Sequence, residues 1–220
     1  MATRKHKAEK SLDPSGPNDS DEHLVQLPGI RRFLISLTGK TFERALLWRL
    51  DWFNFLKVLG LSAWGYRSDA VYIVCSQIMQ PRGLIGLGED TLDCSYAEMK
   101  EVFEILAAED SYPVLVHCTQ GKDRTGIVVL LVLLLMGVVP EDVISDDYVK
   151  SESELVAELE ERMKEICALG LSEDYARCPP GFTSAIKSQL DLKYGGVSGY
   201  LFFLGIDHEK QERIRRRLLL

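Results

Sequence analysis

A chain of 220 residues, 46% hydrophobic and 27% charged, has the composition of a globular protein and the length to bury a core of useful size. Its net charge of −7 argues against general nucleic-acid binding, while leaving room for one local basic pocket. The five cysteines (Cys75, Cys94, Cys118, Cys167, Cys178) are odd in number and irregularly spaced, with no C-x-x-C pair to suggest zinc or a redox dithiol, so reduced thiols in the cytoplasm or nucleus fit best.

In chain order, residues 1–22 are polar and turn-rich, lack the apolar core of a signal peptide and are predicted to be a disordered tail, with one domain over residues 23–220. Arg32 to Leu37, "RFLISL", alternates as a strand does. Thr41 or a neighbour starts an aromatic helix. Ala45 to Tyr66, "ALLWRLDWFNFLKVLGLSAWGY", is interrupted by Arg49, Asp51 and Lys57, which makes a transmembrane span costly. Two readings of it remain: a core-packed helix pair, or an amphipathic flap with an interfacial face that touches a membrane peripherally. Asp69 to Met79 has apolar residues at helical spacing, although its β-branched content also suits a strand. Pro81 to Asp90 is predicted as a loop by its glycines and proline.

Ser95-Tyr96-Ala97-Glu98 has the pattern of a capping box, with a helix running to about Ala108. Val114 to His117 is a short buried strand, and Gly126 to Gly137 a buried helix too short to span a bilayer. Pro140 opens a further helix. Ser153 to Leu169 carries Leu155, Leu159, Met163 and Ile166 on one face and ends at Gly170. Phe182 to Leu192 and Asp207 to Leu219 complete the chain as helices. No internal repeat is visible.

The chemistry concentrates in "HCTQGKDRTG", His117 to Gly126. A strand that ends at a cysteine, a tight loop, and an arginine at the mouth of a helix make a phosphate cradle. Loop N–H groups converge on one oxyanion, and the helix adds its unpaired N–H groups and the positive end of its dipole. The same field favours a thiolate at Cys118, a nucleophile at neutral pH. Arg124 offers a planar fork for two phosphate oxygens. Gly121 and Gly126 permit bends that a Cβ would block. Thr125 places a hydroxyl by the sulfur.

On these residues the sequence resembles the protein tyrosine phosphatase superfamily, with its H-C-x5-R signature. More specifically it resembles the tyrosine/serine phosphatase branch of bacterial and fungal members, whose H-C-x-x-G-K-D-R-T-G loop is matched at His117, Cys118, Gly121, Lys122, Asp123, Arg124, Thr125 and Gly126. "ISDDYVKSE", Ile144 to Glu152, and "KYGGVSGYLFFLGI", Lys193 to Ile206, resemble two further segments of that branch. The resemblance implies an α/β fold: a phosphatase-like sheet flanked by helices, with a largely helical C-terminal half. The family's N-F-R-D-x-G-G strand and arginine-serine turn are not found, so the domain is expected to be N-terminally shortened and to lack those strands.

The resemblance also implies a cysteine-dependent phosphatase that acts on phosphotyrosine, and on phosphoserine or phosphothreonine as well, of proteins. Cys118 would form a phosphocysteine and Arg124 would bind the phosphoryl group. Asp123 would serve as general acid, and Thr119, Gln120, Gly121, Lys122, Thr125 and Gly126 would line the substrate site. His117 is expected as a structural partner behind the cysteine. Asp123 lies between two cations, which by itself predicts a low pKa, poor for an acid. Asp93, near Asp90 where a separate acid loop would fall, is the reserve. The alternatives are a phosphoinositide phosphatase, a catalytically weak phosphate-binding module, or a cysteine-loop enzyme of another type. No metal, cofactor or nucleic-acid partner is expected.

Overall fold

The computed structural model describes residues 28–219; the tail expected over residues 1–22 and the domain start at residue 23 lie outside them. The described residues contain no strand, so the expected α/β class is wrong and the architecture is all-α. Both sequence segments expected as strands fail for the same reason. A strand is stabilised by pairing its backbone groups with a neighbour, and neither residues 32–37 nor 114–117 forms a ladder. Val116 packs partly against the core, whereas Leu115 points outward, 86% exposed. The alternation is real, but it describes a single extended segment.

The helices are α1 (Lys40–Leu47), α2 (Trp52–Ala63), α3 (Arg67–Val74), α4 (Gln80–Cys94), α5 (Tyr96–Ala107), α6 (Asp123–Met136), α7 (Glu141–Glu154), α8 (Leu159–Ala168), α9 (Phe182–Tyr194), α10 (Val197–Phe203) and α11 (His208–Leu218). A π-helical turn, Cys75–Met79, joins α3 to α4. The centre is α6. It is apolar nearly all round, which is the pattern of a helix buried on every side. Ile127, Val128, Leu130, Leu131 and Leu135 are buried, and Gly137 ends the helix in a left-handed cap. Met99 and Phe103 of α5, Tyr148 of α7, Ile186 and Leu190 of α9 and Leu201 of α10 belong to the same cluster. Each such buried side chain is worth about 1.5–3 kcal/mol of transfer free energy.

Two local expectations are corrected. Pro81 to Asp90 is helical, not a loop: it lies in α4, and Gly83 (φ 63°, ψ 179°) absorbs a kink that leaves the helix free to resume. The glycines that suggested a loop serve packing instead. A Cβ on Gly88 would lie 2.9 Å from Ile186 Cδ1 and 3.0 Å from the Phe182 ring, so glycine lets α4 and α9 approach closely. Ser95 precedes α5 as expected but does not cap it. Its hydroxyl donates to the Leu37 carbonyl, a tie across the fold that outcompetes the local bond.

The aromatic segment, Ala45 to Tyr66, holds the end of α1 and all of α2 and stops just before α3. Leu50, Val58, Ala70 and Ile73 make a small cluster of their own. Asp51 caps α2, accepting from the N–H groups of Phe53 and Asn54. Arg49 and Arg82 both engage the buried carboxylate of Asp90, with Nη2–Oδ1 distances of 2.8 and 2.7 Å, which fastens the end of α1 to α4. No helix of the described residues is long and apolar enough to cross a membrane.

Ile186 and Phe182 are 0% and 1% exposed and have no room to retreat. Gly88→Ala is therefore expected to destabilise the fold by about 1–3 kcal/mol through overpacking. A urea melt checks this; an unchanged midpoint would mean that α4 and α9 separate freely.

Candidate active site

The loop from Cys118 runs into α6, which begins at Asp123, three residues before the expected start at Gly126. That shift matters chemically. Asp123, Arg124 and Thr125 now occupy the first helical turn, where backbone N–H groups lack intrahelical acceptors and the dipole is positive. Gly121 has φ 66°, a left-handed conformation that makes the bend. The Gly126 N–H closes the turn on the Lys122 carbonyl at 2.6 Å. A Cβ on Gly126 would lie 2.9 Å from the Tyr148 ring, so this glycine is required for packing.

Cys118 is half-buried. Burial alone would push its thiol up. The Thr125 hydroxyl and amide, the Gln120 amide and the Arg124 charge act the other way and prevail, so the pKa falls below the ordinary thiol value. The Thr125 Oγ1 is buried and makes no hydrogen bond, so it is free to turn toward a thiolate at Cys118. Arg124 Nη2 donates to Thr119 Oγ1 at 2.9 Å, so the guanidinium bends back over the loop. Cys118, Thr119, Gln120, Arg124 and Thr125 are thus brought together. His117 is exposed, and its Nδ1 lies 3.3 Å from the Cys118 carbonyl oxygen. It touches the backbone of the cysteine, not the sulfur.

Lys122 departs from expectation. Its side chain is 1% exposed, and its ammonium donates to the carbonyls of Tyr175 (3.2 Å) and Arg177 (2.7 Å). The cation expected to deepen the phosphate field is turned inward, where it fastens the loop to the segment before α9. It also lies 3.6 Å from Asp123 Oδ1.

Asp123 is where the structure corrects the electrostatics. Burial raises its pKa and outweighs the lowering by Lys122, by the Tyr148 hydrogen bond and by Arg124. The two-cation argument omitted this desolvation. Tyr148 donates its hydroxyl to Asp123 Oδ1 at 3.0 Å. Its own pKa is raised, first by burial and then by Asp123, so the phenol stays a donor. The Tyr148 ring stacks on Phe182 at 4.6 Å. Sequence reasoning passed over this tyrosine, although it stood in the quoted segment "ISDDYVKSE". The carbonyls of Tyr175 and Arg177 left no signal, because any residue supplies a carbonyl.

Asp93 is not brought to the loop. It sits in the last turn of α4, where Oδ1 accepts from the Tyr194 hydroxyl and Oδ2 pairs with Lys193, each at 2.8 Å. Asp90 is taken by its two arginines. Among the three candidate carboxylates, Asp123 alone sits on the loop.

A family model described as "Tyrosine phosphatase family" matches residues 81–220. The chain is 33% identical over 133 residues to a tyrosine-protein phosphatase of Nostoc commune, covering 56% of this chain and 45% of that protein. It is 34% identical over 137 residues to the triple specificity protein phosphatase PtpB of Mycobacterium tuberculosis, covering 55% of this chain and 48% of that protein. The chain spans about half the length of the relatives it matches.

The lowered Cys118 pKa gives a pH signature. Thiolate should persist below the ordinary thiol value of about 8.5, and alkylation should fall only as pH drops through the shifted value. Cys75, Cys94 and Cys178 shift upward, burial being the largest cause, and should react more slowly. Peptide mapping after iodoacetamide treatment checks both statements. Thr125→Val should move the Cys118 profile to higher pH, and an unchanged profile would remove the hydroxyl from thiolate stabilisation.

Lys122 supplies a second test. Lys122→Met leaves the buried Tyr175 carbonyl and the half-buried Arg177 carbonyl without their donor and should cost about 1–3 kcal/mol in a denaturant melt. Unchanged stability with weakened phosphate inhibition would place the ammonium at the ligand instead.

Proposed function

Because the chain belongs to the tyrosine phosphatase family, we propose that it is a cysteine-dependent phosphatase that hydrolyses phosphotyrosine, and phosphoserine or phosphothreonine as well, on proteins. The observation that carries this reading is the half-buried Cys118 with its lowered pKa at the start of α6, beside Arg124 and Thr125. The Cys118 thiolate attacks phosphorus, a sulfur–phosphorus bond forms and the phosphorus–oxygen bond of the ester breaks. The leaving oxygen takes the Asp123 proton. Water then attacks the phosphocysteine, gives a proton back to Asp123, and releases phosphate and the thiolate. Loop and helix N–H groups and the Arg124 guanidinium hold the non-reacting phosphoryl oxygens, where phosphoryl transfer needs charge stabilisation most. To bind the phosphate, Arg124 exchanges its Thr119 hydrogen bond for the anion.

The raised pKa of Asp123 supports the acid role, since an acid is useful in proportion to the fraction that still carries its proton. A phosphoinositide carries several negative charges and would be favoured by a lysine facing the phosphate. The enclosure of the Lys122 ammonium by two carbonyls withdraws that support.

The test uses two substrates of different leaving-group pKa. Cys118→Ser should abolish turnover of p-nitrophenyl phosphate while retaining phosphate binding; full binding without turnover in the wild-type chain would instead favour a phosphate-binding module. Asp123→Asn should slow tyrosyl phosphate far more than the activated aryl ester. In the wild type the rate on tyrosyl phosphate should fall as pH rises through the raised Asp123 pKa, because the proton donor is lost, and Asp123→Asn should remove that limb. Equal losses on both substrates would leave Asp123 a structural part of the loop.

A further inference from the structure

The chain contains three tryptophans, and all three are exposed on one helical hairpin: Trp48 (74%), Trp52 (69%) and Trp64 (83%). Phe53 (83%), Leu56 and Leu59 are exposed beside them. Large aromatic side chains are seldom left in water without a reason, and here they are not scattered. On α2, positions 52, 53, 56, 59, 60, 63 and 64 fall on one face of a 3.6-residue repeat, and every one of them is exposed. Val58, on the other side, is the buried residue of this helix. Phe55 stacks between Trp48 (5.8 Å) and Trp52 (6.5 Å), which holds the aromatic group together.

The charge along this segment is opposite in sign to the whole chain, by a narrow excess. Lys40, Arg44, Lys57 and Arg67 are exposed, against Glu43, Asp51 and Asp69, while Arg49 is engaged by Asp90. Lys57 falls at the edge of the apolar face. A protein with a net charge of −7 thus carries a slight excess of basic residues along its aromatic segment. Tryptophan with flanking lysine and arginine is the composition that suits the headgroup region of a bilayer, where indole rings lie between hydrocarbon and water. The helix has 12 residues, far short of the ~20 needed to span, so it can lie along the surface but not cross it.

We infer that the outer face of α2, with Trp48 and Trp64, is a docking surface for an anionic phospholipid bilayer. The aromatic and aliphatic side chains enter the interface, and the basic residues meet the negative headgroups. This goes beyond the phosphatase reading and does not depend on it, since binding is measured without turnover.

The tryptophans make the test specific, because the intrinsic fluorescence of the protein reports this surface alone. Adding vesicles of phosphatidylcholine with phosphatidylserine to the full chain should shift the emission to the blue and co-sediment the protein. Phosphatidylcholine alone should do so much more weakly. Trp52→Ser with Phe53→Ser should abolish co-sedimentation while leaving the helical circular dichroism unchanged. Lys57→Glu with Arg67→Glu, which leaves the apolar face intact, should weaken binding by about tenfold or more, and high salt should act in the same direction. No shift with anionic vesicles would overturn the inference. So would equal binding by all variants, or a concentration-dependent dimer that shifts the emission without lipid, which would assign the face to a second copy of the chain.

Discussion

A buried ammonium group is costly unless acceptors surround it. Lys122 meets that demand with the carbonyls of Tyr175 and Arg177 and with the nearby Asp123 carboxylate. The requirement fixes more than one side chain. It pins the segment before α9 against the loop, and it sets the residue that caps α6, so that the next three residues start the helix. Tyr175 extends the tie, because its hydroxyl donates to the Met79 carbonyl in the π-helical turn. The loop at Cys118 is therefore held from behind by one inward-facing cation.

The same geometry separates two titrations. Cys118 and Asp123 are both partly withdrawn from water, which disfavours the charged form of each. For Cys118 the donors of Thr125 and Gln120 and the charge of Arg124 overcome that cost, and the thiolate is favoured. For Asp123 they do not. Lys122, Tyr148 and Arg124 all favour the carboxylate, yet burial prevails and the proton is held more tightly. Two groups similarly withdrawn from water are thus pushed in opposite directions by what surrounds them. Asp90 and Asp93 show the contrast. Both oxygens of each accept from cationic or phenolic donors, on Arg49 after α1, on α4 or on α9, and they act as structural acceptors.

The loop was legible in the sequence because its chemistry is local. Cysteine, glycine, arginine and threonine at that spacing define a bend and a helix start almost alone, and Cys118, Arg124 and Thr125 lie together as the spacing suggests. The fold class was not legible. Val114 to His117 has the apolar run of a buried strand, but such a run does not record whether a second strand exists to pair with. Pro81 to Asp90 misled in the opposite sense. Its glycines serve a kink at Gly83 and a close helix crossing at Gly88, and neither can be told from a loop without knowing what packs alongside. Ser95 fits a capping pattern yet bonds Leu37, 58 residues away, a tertiary preference that no local pattern carries. The inward turn of Lys122 and the Tyr148 bond to Asp123 depend on long-range partners in the same way.

The hairpin of α1, α2 and α3 obeys a different logic from the core around α6. Its own cluster is small, and Val58 is the buried contribution of α2. What holds it are its ends. Arg49 is fixed by Asp90, Asp51 caps α2, and α3 continues without a break through the π-helical turn into α4. Tyr72 of α3 also lies so close to Gly170 that a Cβ there would sit 2.6 Å from its ring. Support from the ends leaves the outer face of α2 exposed, with the stacking of Trp48 and Trp52 on Phe55 as its internal packing. Polar substitutions at exposed positions outside that stack, such as Phe53 and Leu59, fall into the class that changes stability by about 0.5 kcal/mol or less.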